Sequence, residues 1–160
     1  MYKCKHFKIQ EIVTPQMYAA WGDRCWSLFD ERLLITLDAL RERFGSCTIN
    51  DWMWGGNFKY SGMRDEHFYS SVQAYLNSRS QHKYGRAADC KFSAIVAAEV
   101  RAYILENPSE FPHVKFIETG PLANGKTMTW VHIDVRNGDV TCWSPVEGVI
   151  SASEVIRRKL

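Results

Sequence analysis

Nowhere in the 160 residues does an apolar run approach the roughly eighteen that a membrane-spanning helix requires. The N-terminal MYKCKHFKIQ has basic residues with no apolar stretch behind them, so neither membrane insertion nor a secretory signal is expected. None of the five cysteines, at 4, 25, 47, 90 and 142, stands in C-x-x-C spacing, and their number is odd. Both facts argue against a disulfide framework and against a cysteine-rich structural zinc site, leaving reduced thiols that are mostly buried. An excess of one charge is also missing, since 20 Lys and Arg stand against 18 Asp and Glu for a formal net charge of +2. That balance, without a basic helix face, counts against a nucleic-acid partner. Internal repeats, low-complexity runs and linkers are absent.

What is present is ordinary for a folded chain. Hydrophobic residues make up 46% and charged residues 24%, which excludes disorder for the bulk of the sequence. The length suits one domain over 1–160 with a sizeable core. Thr14-Pro15 reads as a helix start that Gly22 closes. The strongest helix signal spans 27–44, where Leu33, Leu37, Leu40 and Phe44 share a stripe and Asp30, Glu31, Asp38, Arg41, Glu42 and Arg43 face outward. Gly45 follows as its C-cap. A short strand is expected over 47–50, a loop over 51–62, a helical turn or two over 65–77 and irregular chain over 77–85. A second helix over 93–106 carries Val96, Ala97, Val100, Tyr103 and Ile104 on one face and stops at Asn107-Pro108. Strands are expected over 114–118 and 127–135. An α+β fold, a small antiparallel sheet packed by helices, is the simplest account.

The last strand holds the first chemical clue. Val131, Ile133 and Val135 point one way and anchor it, while Trp130, His132 and Asp134 point the other. Taken alone, His132 is compatible with an ordinary hydrogen-bonded structural histidine. The second clue is SQHKYGRAAD, in which His82 and Asp89 stand seven apart. On one helix they would lie about 10 Å apart along the axis, too far to grip one ion at about 2 Å. On a continuous strand they would be farther still. Only a chain that turns between them brings imidazole and carboxylate together, and Gly85 is where that turn is easy. Two nitrogens and one oxygen, with a fourth position for water, is the donor set of a catalytic zinc.

These residues resemble a known family. SQHKYGRAAD matches the S-x-H-x-x-G-x-A-x-D signature of the zinc D,D- and L,D-peptidases that cut peptidoglycan stem or cross-bridge peptides. WVHIDVR matches their W-x-H-x-D, and SGMR resembles their S-G-x-R, with Arg64, His82, Asp89 and His132 in the family's order. The resemblance covers roughly 50–136. It implies the hedgehog-type fold, one Zn²⁺ held by His82, Asp89 and His132, a zinc-activated water as nucleophile, and Arg64 at the substrate carboxylate. It also implies peptidoglycan as partner. Phage lysis enzymes and tail-associated hydrolases of this size are similar and commonly lack a signal peptide. Such a protein would accumulate in the host cytoplasm before release to the wall, or travel with the virion.

One position departs from the pattern. Many members carry Glu or Asp three residues before the last histidine as general base, and here that residue is Thr129. Asp134, on the strand face of His132, is the preferred substitute; its reach also suits orienting a ligand. Glu118, at the end of the preceding strand, is the alternative. His6, His67 and His113 fit no metal spacing with these ligands, although His67 lies near Arg64. Trp52, Trp54 and Tyr60 suit packing or sugar stacking, and the basic ends suit solvation or attraction to anionic envelope polymers. The rival to the enzyme is a binding module that keeps its metal for stability, with Thr129 marking lost catalysis. Whether the bond is L-Ala–D-Glu, D-Ala–D-Ala or a cross-bridge is not written in these residues.

Overall fold

A computed structural model describes residues 1–160. Six strands make one sheet: β1 (Cys47–Thr48), β2 (Ala87–Phe92), β3 (Phe116–Glu118), β4 (Val131–Asp134), β5 (Thr141–Ser144) and β6 (Gly148–Ile150). Their order across it is β1-β2-β4-β3-β5-β6. Neighbours run antiparallel except β3 and β5, which are parallel. The expected antiparallel sheet packed by helices is thus present, with one parallel pair that the expectation did not include. The chain reverses from β3 into β4 and again from β4 into β5, and β5 settles on the far side of β3, so the two share a direction. The helices are α1 (Pro15–Trp21), α2 (Glu31–Phe44), α3 (Val72–Asn77), α4 (Ala97–Glu106) and α5 (Ala152–Arg158).

Local chemistry fixes the helix ends. Thr14 caps α1 by accepting from the Met17 N–H, and Pro15 follows as its first residue. The second helix starts at Glu31 rather than 27, because Asp30 caps it at the Arg32 N–H, while Gly22–Leu28 winds as a 3₁₀ helix. Its leucines at 33, 37 and 40 are buried as the stripe requires. Asp38, expected outside, is buried too. The N-terminal segment folds over it, and the Tyr2 hydroxyl and the Lys5 and His6 amides donate to its carboxylate at 2.7, 2.8 and 3.1 Å. In α4 the packing face is Ala97, Val100 and Ile104; Val96 is only the N-cap and stays exposed.

Strand alternation then divides the sheet into two faces. Ala88, Ile133, Ile117 and Cys142 are register neighbours across β2, β4, β3 and β5, and all are buried. The first three join Leu33, Leu37 and Leu40 of α2 and Val100 and Ile104 of α4 in the main core. Cys142 packs with Ile150 and with Val155 of α5 in a smaller cluster beside it. Burying this face obliges the residues one step along each strand to line the other face, and a one-residue slip would exchange the two.

Candidate metal centre

On that other face, Asp89 of β2 pairs with His132 of β4, His132 with Glu118 of β3, and Glu118 with Trp143 of β5. Four side chains therefore stand in one line across the sheet. His82 reaches the line from a 3₁₀ turn, Gln81–Tyr84. Gly85 then reverses the chain towards Asp89 with φ 64° and ψ 30°, a left-handed conformation that suits glycine, and a Cβ there would collide with the Leu28 carbonyl. This is the turn that the His82–Asp89 spacing demanded.

One ligand atom each from His82, Asp89 and His132 lies within 4.8 Å of the other two. His82 Nε2 is 3.2 Å from His132 Nδ1 and 3.5 Å from Asp89 Oδ1, and His132 Nδ1 is 2.7 Å from the same oxygen. Ligands about 2.0–2.1 Å from a tetrahedral ion stand roughly 3.3 Å apart. Two of the three spacings fit that value, and the third is a hydrogen-bond length. The group can hold a metal ion.

Each of the three is also held from behind. His82 Nδ1 donates to the Gly62 carbonyl at 2.7 Å, which turns the Nε2 lone pair towards the cluster. Residue 62 must be small, because a Cβ would meet the Ile12 carbonyl that the neighbouring Met63 N–H bonds. Asp89 Oδ2 accepts from Arg64 Nη2 at 3.1 Å. Beyond His132, Asp134 Oδ2 lies 3.8 Å from Nε2, a charge-to-ring contact longer than a hydrogen bond. Arg136 fixes that carboxylate, with Nε 2.7 Å from Oδ1 and Nη2 2.5 Å from Oδ2. Outer partners of this kind orient metal-binding histidines and carboxylates.

The electrostatics follow from burial and from these contacts. Burial pushes the His82 imidazole below its ordinary value, against the pull of Asp89. Burial acts in the same sense on His132, but the Asp134 and Asp89 carboxylates outweigh it and raise that ring to about 9. Burial would raise Asp89, yet hydrogen bonds from His132 and His82 hold it well below the usual carboxylate range. Glu118 is raised by burial, with His132 pulling only partly the other way.

A cleft of about 290 Å³ opens on the cluster. Arg64 lines it as expected, but two of its nitrogens are spent within the protein: Nε on the Tyr60 carbonyl at 2.8 Å and Nη2 on Asp89. Nη1 is left over. Asp134, preferred from sequence as the base, is fully buried in the grip of Arg136 and does not line the cleft. Glu118 does line it, and its carboxylate takes part in no hydrogen bond or ion pair. Thr129 lines a different hollow, with Phe92, Ala97 and Met128. His6 pairs with Glu42 and His67 with Asp65, away from the cluster. Trp52 donates to the Val13 carbonyl, and Tyr60 packs edge-on against Phe68. All five cysteines are free, four of them buried.

Sequence reasoning missed Trp143, which lines the cleft at the end of the row. The available signal was the alternation around the buried Cys142, between Gly138 and Gly148. No family model matches the chain, and neither a curated protein nor a solved structure matches it.

Proposed function

We propose that the protein is a zinc peptidase that hydrolyses an amide bond in peptidoglycan stem or cross-bridge peptides. One observation carries this: separate segments deliver His82, Asp89 and His132 to one point, each backed by an outer partner, beside a carboxylate that nothing in the protein engages. The three signatures around Arg64, His82 and His132 support the family of zinc D,D- and L,D-peptidases. A sheet packed by helices is the class of architecture which that hedgehog-type family uses.

Two imidazoles and one carboxylate would hold zinc and leave a fourth position open, as catalytic sites do. Zinc, when bound, supplies Lewis acidity towards a carbonyl and towards water. The chain's own residues do the remaining work. Glu118 is the general base that takes a proton from the attacking water and returns it to the leaving amine. It supplies from β3 what residue 129 cannot. Asp134, held by Arg136, keeps the His132 ring in its orientation. Arg64 keeps Asp89 in place through Nη2 and offers Nη1 to a substrate carboxylate, a division of labour that a lysine cannot match.

The experiment is incubation of the zinc-loaded protein with purified peptidoglycan, with and without a chelator, reading released peptides and new amine ends by mass. Chelator-sensitive release is expected, and the fragment masses name the bond. A zinc-loaded protein that releases nothing from any wall tested would instead be a metal-stabilised binding module.

A further inference from the structure

The transverse row gives the cleft a direction. Arg64 bonds Asp89 at one end, and His132, Glu118 and Trp143 follow, each one strand farther across the sheet. At about 4.8 Å per strand, Asp89 and Trp143 are separated by roughly 14 Å, the span of about four residues of extended peptide. Charged and titratable groups fill that line from Asp89 to Glu118 and stop there. Beyond Glu118 comes the Trp143 indole, and its partner across the next ladder is Val149, 76% exposed, so the face is open there. The Trp143 ring lines the cleft, and its N–H donates to no group of the protein. Trp130 flanks the same space. Arg101, itself fully buried, donates from Nη1 to the Trp130 carbonyl at 2.8 Å and fixes the backbone that carries this second indole.

Resting on the peptidase reading, we infer that Trp143 is the specificity residue of the cleft, receiving an apolar substrate side chain on the far side of the scissile amide from the carboxylate held by Arg64. The favoured substrate is then a short peptide that is anionic at one end and uncharged and apolar at the other. An indole offers such a side chain a large rigid contact surface, whereas a second acidic group at that end would lie beside Glu118 with no cation to meet it.

The test uses zinc-loaded wild type, Trp143→Ala and Trp143→Phe. The probes are N-acetylated X-Ala dipeptides with a free C-terminal carboxylate, where X is Gly, Ala or Leu in each chirality. Dissociation constants are read by calorimetry, and kcat/KM wherever turnover occurs. Wild type is expected to prefer Leu over Gly by about tenfold. Trp143→Ala should bring that ratio near one, and Trp143→Phe should restore most of it, with one zinc per chain throughout. An unchanged ratio in Trp143→Ala, or loss of zinc from both variants, overturns the assignment. Peptides that bind with this selectivity, when neither they nor purified peptidoglycan are ever cut, would refute the peptidase and leave Trp143 in its role. Cleavage without selectivity would do the reverse, and no binding of any peptide would refute both.

Discussion

Glu118 and His132 are register partners on β3 and β4, and of the two carboxylates that line the cleft, only Glu118 is free of an ion pair; Asp89 is bound to Arg64. Asp134, on the other side of the His132 ring, is closed in by Arg136. The two acids are therefore expected to fail differently. Glu118→Gln should keep its zinc and lose at least about 100-fold in hydrolysis, the low end of what a general base contributes. Asp134→Asn should weaken zinc binding by about 10- to 100-fold and recover turnover in excess zinc. Metal content and peptide release measured side by side decide the matter. An active Glu118→Gln beside a zinc-loaded but inactive Asp134→Asn would return the base to Asp134.

Asp30 joins the start of α2 to the turn that carries His82. Its carboxylate accepts from Arg32 Nη2 at 2.7 Å and lies 3.4 Å from Arg86 Nε, while its N–H donates to the Gly85 carbonyl. Hydrogen bonding from Arg32 holds the carboxyl below its ordinary value, against a smaller opposing effect of burial. The unfolded chain then takes up the proton more readily than the folded one. Its stabilisation is fully present above the unfolded value, near 3.9, and disappears as pH falls through the lower folded value. Asp30→Ala should cost about 1 kcal/mol at pH 7 from the lost cap and charge. Urea titrations should show the gap to wild type narrowing below about pH 4, and a gap of constant size down to pH 2 would count against this.

Arg101 is a buried guanidinium that meets no Asp or Glu side chain. It donates to the main-chain oxygen of Leu160 at 2.6 Å and to the carbonyls of Trp130 at 2.8 Å and Met128 at 3.4 Å, and desolvation brings it down to about 10, still charged at neutral pH. Arg101→Met strands these acceptors at a cost of about 1–3 kcal/mol for each that stays buried. A loss of at least about 2 kcal/mol is expected, read as a lower denaturant midpoint with an unchanged slope. A shift under about 0.5 kcal/mol would mean that water replaces the guanidinium.

The parts of the fold written in local pattern were legible in the sequence. The leucine stripe of α2, the alternation of β4 and the turn at Gly85 each follow from spacing and residue type. The sheet interior was not. In β2, Ala87-Ala88-Asp89 reads poorly as strand because Asp89 serves the cluster and the alanines are small where the sheet is buried. The short strands β5 and β6 fall below the length at which alternation stands out. Charge misled at Asp38, whose carboxylate is covered by the Tyr2 hydroxyl and the Lys5 and His6 amides, all brought from the distant N-terminal segment. The three metal-binding candidates were visible because motif and turn place them. Sequence favours Asp134 over Glu118 because it shares the strand face of His132; the Arg136 grip that buries Asp134 and the register that leaves Glu118 lining the cleft are not local properties.

The most direct measurement is zinc content and ligand type, by metal analysis and X-ray absorption, on protein never exposed to chelator. One zinc per chain, with two imidazole nitrogens and a carboxylate oxygen among its ligands, is expected, and it should be lost in His82→Ala and His132→Ala. A folded protein that binds no zinc, or one whose zinc survives both substitutions, would contradict the assignment of this cluster.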